Sequence, residues 1–109
     1  MTVYKLHSGA AITLLDVNKI RSRKLRKLVA KGDQSGIRPE WRGKVKRILA
    51  ALNVAVAPEE LNLPSFGWHK LSGNRADTFS VTVSRNWRVT FKWDDHGPFD
   101  VDLEDYHGN

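Results

Sequence analysis

The last third of the chain concentrates polar side chains suited to chemistry: His69 with Lys70, then Arg75, then Arg85, Asn86 and Arg88, and finally Tyr106 and His107. Taken singly, each is an ordinary surface residue type. As a set they match what metal-free cleavage of an RNA strand demands. That reaction needs a base to take the proton from a ribose 2'-hydroxyl, cations to stabilise a phosphorane-like transition state, and an acid to protonate the departing 5'-oxygen. Histidine, arginine and tyrosine suit those tasks. No acidic cluster with metal-ligand spacing competes for the role, because Asp100, Asp102 and Glu104 alternate and so line up in a row instead of converging on an ion. There are no cysteines, which excludes thiolate metal sites, disulfides and cysteine nucleophiles and favours a reducing compartment, the cytoplasm.

These residues need elements to position them, and 109 residues are enough for one domain. A hydrophobic content of 40% with 28% charged residues places the chain in the globular class, and no apolar run approaches the roughly 20 residues of a membrane span or has the layout of a signal peptide. Leu25, Leu28 and Val29 follow helical spacing behind a capping Ser22, and Gly32 stands where a helix terminates. Pro39 suits the first position of a second helix carrying Trp41, Val45, Ile48, Leu49 and Leu52 on one stripe. A Pro-bounded connector follows at residues 58–64. Residues 3–6 and 12–15 are candidate short strands.

Beyond Trp68 the period changes to two. Phe79, Val81 and Val83 alternate with Ser80 and Thr82; Trp87, Val89, Phe91 and Trp93 alternate with Arg88, Thr90 and Lys92. After a turn over residues 94–98, Phe99, Val101 and Leu103 alternate with acidic residues and Tyr106. The pattern predicts an antiparallel meander whose apolar face is covered by the helical hairpin. Ser80, Thr82, Arg88, Thr90, Lys92 and Tyr106 then share a wet outer face. For Arg88 the competing expectation is a salt bridge to Asp102 or Glu104.

The net charge of +6 is unevenly spread. Residues 19–47 hold twelve Lys and Arg against Asp33 and Glu40, whereas the stretch from Asp94 onward holds six acids and neither Lys nor Arg. A basic surface of this kind attracts RNA or DNA, because each cation that neutralises a phosphate releases counterions. The plainer alternative is a solvated helix face that pairs with the acidic tail.

The stretch WHKLSGNRADTFSVTVSRNWRVTFKWDDHGPFDVDLEDYH, residues 68–107, resembles the signature of the HigB killer toxins, within the RelE-like superfamily of toxin-antitoxin ribonucleases. An Asn-Trp-Arg element at 86–88 followed by Asp-Tyr-His at 105–107 carries the similarity. It runs back through KGDQSGI at 31–37 and both helices to about residue 17, leaving 1–16 as an N-terminal extension of a single domain.

The resemblance implies an α+β, RelE-like fold, a helical hairpin on a small twisted antiparallel sheet. It also implies a toxin that enters the ribosomal A site, cuts messenger RNA during translation and is held inactive by a cognate HigA-type antitoxin. Operator DNA would be reached only through that antitoxin, and no cofactor or membrane attachment is expected. Carried over by position, His69 and His107 form the acid-base pair, Arg88 stabilises the phosphate, Asn86 and Tyr106 position, and Arg75 and Arg85 contact RNA. Lys70, Lys92 and, in the first helix, Arg23, Lys24 and Lys27 extend the expected RNA surface. Two departures stand out: Ser72-Gly73-Asn74-Arg75 where the family commonly has Lys-Gly-Asp-Arg, and Phe79 where a Trp is common. Ser72 removes a cation from the RNA path. Two rival readings remain: a non-catalytic module that grips ribosomal RNA or DNA, and an inactive relative kept for its antitoxin contact.

Overall fold

Helical and alternating apolar patterns must bury their stripes against one another, and the computed structural model of the chain, which describes residues 15–105, has them do so. Helix α1 spans Arg23–Lys31. The Ser22 hydroxyl caps it by accepting from the Leu25 amide at 3.1 Å, and Gly32 ends it at φ 70, a left-handed conformation that suits a residue without a Cβ. Helix α2, Pro39–Val54, starts on its proline and buries Val45, Ile48, Leu49 and Leu52. Both helices lie where their spacing predicts. Among the described residues no helix is long and apolar enough to cross a membrane.

The sheet is an antiparallel meander of β1 (His69–Lys70), β2 (Phe79–Thr82), β3 (Trp87–Asp94) and β4 (Gly97–Asp105), in that spatial order. Strand β1 was not expected; two residues are too few to show a period. Phe79, Val81, Val89, Phe91 and Val101 face Leu25, Val45, Ile48 and Leu52 in one core. The lead into α1 is tied to β4, since the Arg21 amide donates to the Val101 carbonyl at 2.7 Å. Some of the basic segment also serves the fold. Arg26 donates to the Ile20 and Arg21 carbonyls, Arg42 to the Ile37 carbonyl and Lys44 to the Ser65 carbonyl.

Three expectations need correction. The alternation predicted for the last strand breaks: Thr90 pairs with Asp102 and Lys92 with Phe99, so two steps on β3 span three on β4. The surplus residue forms a bulge, with Asp100 at φ 51. Phe99 therefore shares a face with Lys92, while Val101 and Leu103 join the core. The turn over residues 94–98 is tighter than predicted, because Asp94 pairs with Gly97 and leaves a two-residue loop of Asp95 and His96. The outer face is also only partly wet. Ser80 and Thr90 are 3% and 2% exposed, Thr90 bonding the Glu104 carboxylate that Arg75, from the connection between β1 and β2, also holds. The candidate strand at 3–6, and 12–14 of the one at 12–15, lie outside the described residues; Leu15 is in no strand.

Candidate active site

Strand register decides which polar side chains meet on the outer face. His69 stands opposite Ser80, Ser80 opposite Thr90 and Thr90 opposite Asp102, making one row across four strands. Thr82, Arg88 and Glu104 form the next row. His69 and Arg88 thus belong to the same face, with one strand between theirs and one row apart, a backbone separation of about 12 Å that two long side chains can bridge around a substrate. They line a single cleft of about 390 Å³ with Gly67, Trp68, Ser80 and Thr82.

The walls of this cleft are built from neighbouring chain. The Thr82 amide donates to the Phe66 carbonyl at 2.7 Å, which docks the segment before β1 onto the end of β2. Gly67 adopts φ 56 there. Trp68 stacks on Phe79 with ring centroids 5.7 Å apart, and its buried Nε1 has no hydrogen-bond partner among the described residues. Arg88 Nη1 donates to the Thr82 hydroxyl, which directs the guanidinium along the strand pair toward the His69 side.

A second cleft of about 410 Å³ lies further across the same face and is lined by groups of both signs. Arg75 grips Glu104 through two parallel bonds, Nη1 to Oε1 at 2.9 Å and Nη2 to Oε2 at 2.8 Å. The Thr90 hydroxyl also donates to Glu104. Arg75 is the main cause holding the Glu104 carboxyl below the usual glutamate range, and Glu104 in turn pushes the Arg75 guanidinium up. Burial pushes Asp102 the other way, above the usual aspartate range. Lys92 lies 3.5 Å from Asp77 and 3.7 Å from Asp100. Of the two carboxylates weighed as partners for Arg88, Asp102 and Glu104, the latter pairs with Arg75. Among the described residues no three His, Asp or Glu side chains converge as metal ligands would.

The other predicted residues are dispersed. Lys70 is on the opposite side of β1 from His69, with Nζ 5.8 Å above the Phe79 ring. Arg85 and Asn86 are exposed in the β2–β3 turn, and Arg23, Lys24 and Lys27 are exposed on α1. Tyr106 and His107 lie outside the described residues; the chain reaches them from Asp105, opposite Trp87 and one residue from Arg88's position. Sequence reasoning placed Thr82 on the same face as Arg88 but gave it no task. It also passed over Gly67, whose only signal was a glycine directly ahead of Trp68-His69.

Two helices laid on one face of a four-stranded antiparallel meander, with a histidine and an arginine around a cleft on the other, define a RelE-like α+β domain. Residues 18–107 match the family described as RelE-like toxin of type II toxin-antitoxin system HigB. The chain is 31% identical over 91 residues to Endoribonuclease HigB of Proteus vulgaris, a match covering 84% of this chain and 99% of that protein. The chain belongs to the HigB-like toxin family, whose toxins are paired with an antitoxin.

Proposed function

We propose that this toxin is an endoribonuclease that cuts messenger RNA in the ribosomal A site, in the cytoplasm, without a metal ion. The observation that carries the reading is the shared cleft of His69 and Arg88. In that cleft the ribose 2'-oxygen attacks the adjacent phosphorus, and its proton passes to one imidazole of the His69 and His107 pair. Arg88 stabilises the charge that builds on the phosphorane oxygens. The bond from phosphorus to the 5'-oxygen breaks as the other imidazole donates its proton there, leaving a 2',3'-cyclic phosphate and a 5'-hydroxyl. Asn86 and Tyr106 position the strand. Tyr106 and His107 follow directly on Asp105, at the end of the strand that pairs with Arg88's own.

Exposed Arg85, Lys70, Arg23, Lys24 and Lys27 supply the cationic surface for messenger and ribosomal RNA. Arg75 and Lys92 already hold carboxylates and are not assigned to RNA. A HigA-type antitoxin is the inhibiting partner, and operator DNA is bound through it alone.

Expression of the wild type should arrest growth and truncate messages. Arg88→Ala, His69→Ala and His107→Ala should each lower cleavage by about a hundredfold or more while retaining the fold. Folded variants that arrest growth as fully as the wild type would overturn the reading and favour a toxin that blocks the ribosome by occupying it.

A further inference from the structure

A third cleft, of about 390 Å³, lies between the two helices, with Leu28 and Val29 of α1 on one wall and Leu49, Ala50 and Val54 of α2 on the other. Its only polar groups are Lys46 and Asn53. Apolar walls left in water carry a hydration cost that a cover removes, and Val54 is 73% exposed, so the described residues leave that wall open. Leu15, the first described residue, also lines the cleft and packs against the core. Its position is fixed from behind. Asp16 caps the turn Val17–Lys19 by accepting from the Asn18 amide at 2.9 Å, and the Arg21 amide is tied to β4. The chain therefore enters the cleft at residue 15, and the residues directly ahead of it, 8–14, read SGAAITL, a run without charge. The family match begins only at residue 18.

We propose that residues 10–14 of this same chain are the cover of the α1–α2 cleft, with Ile12 and Leu14 set against its apolar walls and Val54 beneath them. Reach and chemistry both favour this occupant. From Leu49 to Val54 the α2 wall is about 7–8 Å long, and two or three residues of chain span it. Joined directly to Leu15, the run is present at the cleft at an effective concentration on the order of millimolar, which a separate molecule has to overcome. An uncharged apolar run also suits walls that offer a single cation, Lys46. Fixing the run costs backbone freedom, and the large side chains whose burial offsets that cost are Ile12 and Leu14. The inference is independent of the ribonuclease reading and is tested without RNA.

The absence of cysteine makes a direct test possible, because one thiol can be introduced and its reaction with a water-soluble disulfide reagent timed. Val54→Cys places the thiol in the cleft; Val56→Cys, at a position 80% exposed and outside the cleft lining, is the control. Each is made in the full chain, free of any partner, with and without the pair Ile12→Asp and Leu14→Asp, and measured well below its melting temperature. The expected result is a thiol at position 54 that reacts about tenfold or more slowly than the one at 56, with the aspartate pair abolishing that protection and leaving the rate at 56 unchanged. Equal rates at 54 and 56 in the chain with Ile12 and Leu14 intact overturn the proposal and leave the cleft to a separate partner. Protection that survives the aspartate pair overturns it too, since the cover is then not this run. Protection that falls on dilution by about a hundredfold assigns the cleft to a second copy and likewise overturns it. Should Val54→Cys not fold, Ala50→Cys on the same wall gives the same comparison.

Discussion

A Cβ added to Gly67 would stand 2.7 Å from the hydroxyl oxygen of Thr82, the atom that accepts the Arg88 hydrogen bond. The glycine lets the segment before β1 lie against β2 and leaves the threonine hydroxyl where the arginine can reach it.

Gly67→Ala should therefore harm both stability and activity. At φ 56 a Cβ costs about 1–2 kcal/mol, and the contact with Thr82 adds to it. The expected outcome is a lower urea midpoint, together with a cleavage rate reduced even at temperatures where the variant is fully folded.

Thr82→Val keeps the side-chain shape and removes the acceptor. A hydrogen bond to a charged group contributes about 1.5–3 kcal/mol, which corresponds to roughly a ten- to hundredfold fall in cleavage rate if the bond orients Arg88 for reaction. Thr82→Ser should recover most of that loss. Equal rates for the valine and serine variants would show that the hydroxyl plays no part.

Ser22→Ala removes the cap of α1 and leaves the site untouched. The expected cost is about 1 kcal/mol, or roughly 4–8 °C in Tm, with no change in turnover per folded molecule. Calorimetry and a cleavage assay on the same preparation check both halves.

Glu104 should make stability depend on acid. Its carboxyl is held below the usual glutamate range by Arg75 and Thr90, so its ionised form favours the folded state above the pKa of the unfolded chain, and that contribution is lost as pH falls through the lower folded value. Asp102, pushed up by burial, acts in the opposite sense, gaining stability on protonation at a higher pH. Urea midpoints of wild type and Glu104→Gln should differ most near pH 6 and converge toward pH 3. A constant difference across that range would remove Glu104 from the acid response.

Where a signal lies within a few residues of chain, the sequence carried it. Ser22, Gly32 and Pro39 bound their helices as read, since caps and terminators act on amides and carbonyls one turn away. The strand parity that put Arg88 and Thr82 on the outer face likewise needs only the alternation along each strand. Strand β1 was hidden because its two residues form a strand only through pairing with Phe79 and Ser80. The bulge at Asp100 was hidden because a register shift is defined between strands and not within one.

By itself, then, the sequence determined the helices, the meander, the family and the polar face on which the chemistry is proposed to occur, all from local periodicity and motif. Only the tertiary structure decided how charges pair on that face. Glu104 is 29 residues from Arg75 along the chain and opposite Arg88 across the sheet, and its choice of the former depends on where the Gly73–Arg75 turn folds over β4. Ion pairing follows distance in space, and that distance exists only after the strands have docked.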